Sequence, residues 1–243
     1  MIVLTDRLSL IADNIPRGDR VADIGTDHGY LPLYLIENNL STKVILTDIS
    51  KGSLSKAIEN GNRLFPDLHI DYRIGDGLEP LDKGEVDTVV MAGIGGLLTI
   101  DILDWDISKA LSFKRFIFQP RNNSGMLRRY LLEQGFTIEK NLVVPENKRY
   151  SEIIVATPPT DYQGRYSVDS IQNIEFDFPE SLGEKVTGFE VEYLKNAIQI
   201  EKSIMEKIIA NQESEDSSSA QNSIAFRKGR IARLQALLNK HIT

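Results

Sequence analysis

Residues 21–30, VADIGTDHGY, run from an apolar segment straight into a turn that contains Gly25, Asp27 and Gly29. An apolar strand that ends in glycines can turn sharply, and it lets a ligand approach the main chain closely. A helix that begins near Tyr30 directs its free N–H groups toward the same crevice. This stretch therefore predicts a strand, turn and helix that together bind a nucleotide-like ligand.

On both sides of this stretch, up to about residue 157, short apolar runs alternate with helical periodicity. This alternation is typical of parallel strands joined by crossover helices. The predicted strands are residues 20–24, 43–48, 69–74, 86–91 and 115–119, and the predicted helices are residues 5–14, 30–39, 51–64, 96–105 and 124–134.

Residues 136–144 and 149–157 are also strand-like, and the connection between them is too short for a parallel crossover, which needs a dozen or more residues. They are therefore predicted to form an antiparallel hairpin. A mostly parallel, doubly wound α/β sheet with a terminal antiparallel hairpin resembles the Rossmann-like fold of class I methyltransferases.

Apolar residues recur at three- and four-residue spacing across residues 189–209 and again across residues 224–242. This spacing indicates two long amphipathic helices, and the polar residues 211–222 between them are predicted to form a flexible turn. The expected arrangement is an antiparallel, coiled-coil-like pair of helices. The predicted domains are a ligand-binding domain over residues 1–158, a connecting segment over residues 159–185 and a helical hairpin over residues 186–243.

The composition is that of a globular chain, with 243 residues, 41% of them hydrophobic and 26% charged. The absence of cysteine and the presence of only three histidines exclude disulfides and thiolate metal sites, and we expect no metal. The sequence has no leader pattern and no apolar window long enough for a membrane span. We therefore expect a cytoplasmic, monomeric protein without a membrane partner.

Carboxylates follow two further strands of the predicted sheet. Asp48 ends the second strand, where nucleotide-binding folds place an acid that accepts hydrogen bonds from ribose hydroxyls. Asp76 lies between Gly75 and Gly77 at the end of the third strand, where it can accept a hydrogen bond from an adenine amino group. The carboxyl edge of the sheet is thus predicted to be acidic.

The glycine spacing and the charge of this edge distinguish between cofactors. Binding of NAD requires G-x-G-x-x-G, whereas this chain has Gly25-x-x-x-Gly29, with Asp27 where it would repel a pyrophosphate. S-adenosylmethionine carries no phosphate and has a positive sulfonium, which nearby carboxylates stabilise. The sequence therefore favours S-adenosylmethionine.

Several motifs resemble those of the bacterial tRNA (adenine-N1)-methyltransferases that modify adenosine 22. They are ADIGTDHGYLP at 22–32, TDIS at 47–50, GDGL at 75–78, AGIGG at 92–96 and QP at 119–120, together with the helical C-terminal extension. Asp27 replaces the middle glycine of the general class I pattern, a departure typical of this family. The resemblance implies that S-adenosylmethionine is the donor and that tRNA is the acceptor, with the C-terminal helices assisting tRNA docking.

The resemblance also implies which residues hold the donor. They would surround its methionine part, ribose, adenine and methyl group in chain order, and they are Asp23, Gly25, His28, Gly29, Tyr30, Asp48, Asp76, Gly77, Ala92, Gly93 and Gly95. The AGIGG block stands where many amino-directed methyltransferases have D/N-P-P-Y, which favours a ring nitrogen as the acceptor.

Two residues are candidates for a catalytic role. Asp27 could stabilise the cationic adenine that methylation produces and accept a hydrogen bond from its exocyclic amine. The alternative is that Asp27 only caps the following helix. Gln119 ends the fifth strand, beside a rigid proline, and supplies amide groups that can read a base edge.

N1 of adenine is buried in a Watson–Crick pair, so the target base must be unpaired or flipped, and a basic surface must hold the RNA. Residues 222–243 contain five basic and no acidic residues, although the whole chain has a net charge of −7. The predicted RNA-contacting residues are Arg7, Arg121, Asn122, Arg128, Arg129, Arg227, Lys228 and Arg230.

Two alternatives remain open from the sequence alone. One is a methyltransferase that acts on a small molecule or a protein and uses the helical hairpin for dimerisation. The other is a noncatalytic scaffold that retains the donor site.

Overall fold

The computed structural model describes residues 1–147, 149–210 and 217–241. The chain divides into two compact units, Met1–Val168 and Asp169–Thr243. The boundary between the compact units follows Val168. The three-part division with limits at residues 158 and 185 stays a prediction.

The first unit contains a seven-stranded sheet and six helices among its described residues. The strands are β1 (Arg20–Ile24), β2 (Lys43–Asp48), β3 (Asp71–Ile74), β4 (Thr88–Ile94), β5 (Arg115–Pro120), β6 (Thr137–Glu146) and β7 (Arg149–Thr157). The helices are α1 (Asp6–Ala12), α2 (Tyr30–Glu37), α3 (Lys51–Leu64), α4 (Gly96–Trp105), α5 (Ile107–Ala110) and α6 (Ser124–Glu133).

The strand order is β3-β2-β1-β4-β5-β7-β6. Strands β1 to β5 pair in parallel, whereas β7 is antiparallel to both β5 and β6. The predicted fold class, a Rossmann-like methyltransferase sheet with a terminal antiparallel hairpin, is therefore confirmed. The order reverses between β1 and β4, and ligands of such sheets bind outside the carboxyl ends of the strands at this point.

Helices cover both faces of the sheet. Successive side chains of each strand point to opposite faces, so neighbouring residues of one strand belong to different buried clusters. On one face, Val44 and Leu46 of β2 belong to a cluster that includes α1, α2 and α3. On the other face, Ile45 of the same strand belongs to a cluster that includes α4, α5 and α6. The sheet is thus held between two helical layers, which leave its strand ends free to carry function.

Several strand limits differ from the prediction by one to three residues. Strand β4 begins at Thr88 rather than at residue 86, β5 ends at Pro120 rather than at residue 119, and β6 spans Thr137–Glu146 rather than residues 136–144. Strand β3 begins at Asp71 rather than at residue 69. Strand β4 continues to Ile94 instead of ending at Met91, and its pairing with β5 shifts register between Ala92 and Ile94. Gly93, with φ +77°, provides this bulge, because its backbone conformation is one that other residues rarely adopt.

The second unit is helical in its described residues. It contains α7 (Asn173–Asp177), a 3₁₀ helix (Glu180–Gly183), α8 (Glu190–Ala210) and α9 (Ser217–Lys240). The prediction of a flexible turn over residues 211–222 is wrong for its second half, because α9 already begins at Ser217 and buries Ala220. The first half of that turn, residues 211–216, lies outside the described residues.

Helices α8 and α9 pack against each other, as the apolar spacing indicates. Leu194 and Ile198 of α8 and Leu234 and Leu237 of α9 are buried. Within the described ranges, we find no helix with the length and apolarity needed to cross a bilayer.

Candidate active site

The turn after β1 is fastened to the end of β2. The main-chain N–H groups of Gly25 and Thr26 both donate to the carbonyl of Thr47 at 2.9 Å. Gly25 and Gly29 have φ values of +76° and +70°, which glycine adopts without strain. The turn therefore presents its main chain at the β1–β4 switch point, as the sequence predicts.

Asp23, the last residue but one of β1, is a buried carboxylate. Its side chain accepts a hydrogen bond of 2.7 Å from the Thr26 hydroxyl. Burial raises the pKa of Asp23 to about 6, although the Thr26 hydrogen bond and the nearby charge of Arg7 both act to lower it. A cation bound next to Asp23 would replace the lost hydration and favour the ionised form.

Asp48 is also buried, and one of its carboxylate oxygens accepts a hydrogen bond of 2.7 Å from the Ser50 N–H. The N–H of Gly75 donates to the Asp48 carbonyl at 3.2 Å, which brings the Gly75–Asp76–Gly77 turn beside it. Gly77 packs closely on α4, because a Cβ atom at this position would lie 2.5 Å from Ile102. The three acidic positions predicted from the sequence thus lie at or just beyond the carboxyl ends of three neighbouring strands.

A cavity of about 340 Å³ lies beside Asp76 and Gly77. One side of α4 forms its apolar wall through Leu98, Ile102 and Trp105. None of these three residues belongs to a motif recognised in the sequence. They are four and three residues apart, which places them on one face of the helix. This spacing is the sequence pattern that could have indicated an apolar wall.

Asp27 and His28 lie on the exposed rim of the turn. The Asp27 carboxylate is 2.9 Å from the Lys56 ammonium and 3.3 Å from His28 Nε2. The hydrogen bond from Lys56 lowers the pKa of Asp27. The N-cap of α2 is Gly29, without a side-chain capping bond, so Asp27 does not cap this helix.

Gln119 is buried at the end of β5 and is held by a residue from α1. Arg7 Nη1 donates to Gln119 Oε1 at 2.8 Å, and Arg7 Nε donates to Glu146 of β6 at 2.7 Å. Glu146 also accepts a hydrogen bond from Ser151. Burial acts to raise the pKa of Glu146, but the Ser151 hydrogen bond and the charge of Arg7 outweigh it, so the pKa lies below its ordinary value.

Arg121 and Asn122 lie over Gly93 and Gly95 at the end of β4. A Cβ atom at Gly93 would be 3.7 Å from Arg121 Nε, and one at Gly95 would be 3.2 Å from Asn122 Oδ1. Ala92 pairs with Gln119 in the register of β4 and β5. The structure therefore brings together the AGIGG block and residues 119–122, which the sequence places at the ends of two successive strands.

The prediction that Arg128 contacts RNA is wrong, because its side chain is buried at 1% exposure. It donates to Asn141 at 2.7 Å and forms an ion pair with Glu152. Arg129, one residue later, is more exposed and pairs with Glu133 at 2.8 Å on the same helix.

The basic residues predicted in the second unit differ in their surroundings. Arg227 and Arg230 pair with the buried Glu201 at 2.8 Å and 2.7 Å, and Arg230 also pairs with Asp177. Lys228 is exposed. The count of five positive charges in residues 222–243 therefore overstates the positive potential of α9, because acidic residues from earlier elements neutralise part of it.

The sheet topology and the glycine-rich, acidic edge together define a Rossmann-like methyltransferase. Residues 4–154 match a family model described as a methyltransferase domain. The chain belongs to this methyltransferase domain family.

Comparisons with individual proteins agree with this class. The tRNA (adenine(22)-N(1))-methyltransferase of Bacillus subtilis is 34% identical over 153 residues, which are 63% of this chain and 64% of that protein. The chain thus spans less than two thirds of this curated relative.

Two solved structures match nearly the whole fold. An uncharacterized protein from Listeria monocytogenes has a TM-score of 0.84 at 25% identity, with 97% of this chain and 100% of that chain covered. The B. subtilis m1A22 tRNA methyltransferase has a TM-score of 0.80 at 26% identity, with 98% and 100% covered.

Proposed function

We propose that this protein transfers a methyl group from S-adenosylmethionine to N1 of an adenosine in tRNA, with adenosine 22 as the target. The observation that carries the proposal is the edge at which carboxylates and glycines surround one crevice at the β1–β4 switch point. The name of the B. subtilis relative supports the choice of acceptor. We place the reaction in the cytoplasm and assign it to the monomer.

The residues at this edge fit the donor. Asp23 would face its positively charged methionine part, Asp48 its ribose and Asp76 with Gly77 its adenine, while Gly25, His28, Gly29 and Tyr30 would complete the first of these contacts. Ala92, Gly93 and Gly95 would border the methyl group. When bound, S-adenosylmethionine supplies a methyl group made electrophilic by its sulfonium.

The acceptor nitrogen needs no strong base. N1 of adenine keeps its lone pair in the ring plane, so it can attack the methyl carbon in line without first losing a proton. The chain's contribution is then to orient the base and exclude water, effects that can reach several kcal/mol for well-aligned reactants. Gln119, Arg121 and Asn122 border the side of the crevice where the base would lie.

Asp27 is proposed to stabilise the positive charge that the adenine gains. Its pairing with Lys56 reduces the net charge that it offers, so its contribution depends on how the pair rearranges when RNA binds. The exposed residues among the proposed RNA contacts are Arg121, Asn122, Arg129 and Lys228.

The proposed function is tested by incubating the full chain with S-adenosylmethionine and a tRNA transcript that has adenosine at position 22, followed by nucleoside analysis. We expect 1-methyladenosine in this transcript and none when position 22 is guanosine. Methylation of protein or small molecules but not of tRNA would contradict the proposal, and so would the absence of any donor binding in calorimetry.

A further inference from the structure

The side-chain amide of Gln119 has a fixed orientation. Arginine has only donors, so the Gln119 atom that faces Arg7 Nη1 at 2.8 Å must be the carbonyl oxygen. The other end of the amide, Nε2, has one bond of 3.5 Å to the Pro120 carbonyl, at the limit of a hydrogen bond. The NH₂ group and the second lone pair of the oxygen are therefore the groups that this side chain can offer to a ligand.

Arg7 is itself held in place from a third element. Its Nε donates to Glu146, which Ser151 also contacts, so the guanidinium bridges α1, the end of β5 and the β6–β7 hairpin. The Arg7 side chain is 21% exposed, and Gln119 is 5% exposed. An amide held in this way cannot flip without breaking the Arg7 bond.

A glutamine amide of fixed orientation has donors and acceptors in the order that complements the N6–N7 edge of adenine. Glutamine pairs with adenine through two bonds, in which the amide oxygen accepts from the N6 amine and the amide nitrogen donates to N7. Guanine presents two acceptors, N7 and O6, on this edge and would face the amide oxygen with an acceptor.

We propose that Gln119, oriented by Arg7, reads the N6–N7 edge of the target adenine, an inference that rests on the proposed function. This edge shares the N6 amine with the Watson–Crick edge but does not include N1, so the pairing leaves N1 free to face the methyl group. Gln119 is then a specificity-determining residue that touches the substrate, and Arg7 is a positioning residue that acts through it.

The test replaces one atom of the substrate. The full chain is given two transcripts, one with adenosine and one with 7-deazaadenosine at the target position, since the analogue lacks the N7 acceptor but keeps N6 and N1. We expect the analogue to lower kcat/KM by about tenfold with the unmodified enzyme, as for the loss of one buried hydrogen bond. Gln119→Ala is expected to be slower on adenosine and to show no difference between the two transcripts.

Arg7→Lys separates positioning from general structure. Lysine keeps the positive charge but cannot bridge Gln119 and Glu146 with a planar fork, so the amide can flip. We expect the 7-deaza effect to fall to about threefold or less, with kcat changed more than the KM for the donor. Arg115→Lys is the matched control, because it weakens an Arg–Glu pair between β5 and β6 at the other end of β5, and it should retain the full 7-deaza effect.

The outcomes distinguish this inference from the proposed function. Failure of the unmodified enzyme to form 1-methyladenosine would refute the function itself. Equal activity of the unmodified enzyme on both transcripts, or the same 7-deaza effect in Gln119→Ala, would refute the edge reading. An undiminished 7-deaza effect in Arg7→Lys would refute the positioning role of Arg7.

Discussion

If Asp23 faces the donor as proposed, donor binding should depend on pH. Its pKa of about 6 reflects burial first, and the carboxylate is the form that attracts a cation. We expect the affinity for S-adenosylmethionine to be full above pH 7 and to fall as the pH drops through 6. Because the Thr26 hydrogen bond lowers this pKa, Thr26→Val should move the midpoint upward. Calorimetric titrations from pH 5 to 8 measure the effect, and Asp23→Asn should bind weakly with no such midpoint.

Substitution of Asp27 tests whether its carboxylate stabilises the cationic product. Asp27→Ala should lower kcat by about tenfold or more while changing the donor dissociation constant less than threefold, because the charge acts mainly on the reacting base. Single-turnover kinetics and calorimetry give the two quantities. Equal losses in both would reject this role, and Lys56→Met controls for loss of the ion pair alone.

At the scale of elements, the start of α2 depends on the size of Gly29. A Cβ atom there would lie 2.9 Å from Leu46 and 3.1 Å from Ala57, and the φ value of +70° adds strain for any other residue. We expect Gly29→Ala to lower the free energy of unfolding by about 2–4 kcal/mol. Denaturant unfolding measures this loss. Gly18→Ala is the control, because φ is +90° there but nothing lies within 4 Å, so only the strain of about 1–2 kcal/mol remains.

The helical pair depends on a buried carboxylate. Glu201 is 5% exposed and pairs with both Arg227 and Arg230, so its removal leaves these guanidinium groups without their main partner. We expect Glu201→Ala to destabilise the second unit by about 3 kcal/mol. Hydrogen exchange of the α8 and α9 amides would report this loss. Lys228→Ala, an exposed change on α9, should leave their protection unchanged.

Most strands and helices could be predicted from the sequence, but one bulge and one helix start could not. Strand and helix periodicity identified all five parallel strands and the hairpin, because each element carries its own pattern. The bulge at Gly93 was missed, because a glycine in a run of small residues indicates a turn as well as a bulged strand. The start of α9 was missed because serine-rich residues are weak helix formers, and only the burial of Ala220 reveals the packing that compensates.

At the scale of the whole molecule, the second unit is proposed to assist tRNA docking. Deletion of residues 169–243 should weaken tRNA binding by about tenfold at 0.1 M salt and reduce the salt dependence, because cationic contacts with phosphates are lost. Filter binding at several salt concentrations measures the change, and the donor affinity of the remaining unit shows that its site is intact. Unchanged tRNA affinity would exclude a docking role for the second unit.

Site residues could be predicted from the sequence where a local pattern places them, but not where their role depends on a contact with a residue far away in the sequence. Carboxylates and glycines that directly follow a strand were predicted, since their place in the sheet comes from local pattern alone. The burial of Arg128 and the bridge made by Arg7 were not predictable in this way. Gln119 and Glu146 are 112 and 139 residues from Arg7, and no local pattern connects them.

The span of the Arg7–Glu146 contact has a consequence for biosynthesis. Helix α1 leaves the ribosome before every strand of the sheet, and the carboxylate that holds its arginine emerges 139 residues later. Until that strand has been translated and has joined the sheet, the growing polypeptide lacks the bridge that orients Gln119. If Gln119 reads the base as proposed, the residues proposed to hold the donor, all before residue 96, are synthesised before the contact that would orient this glutamine.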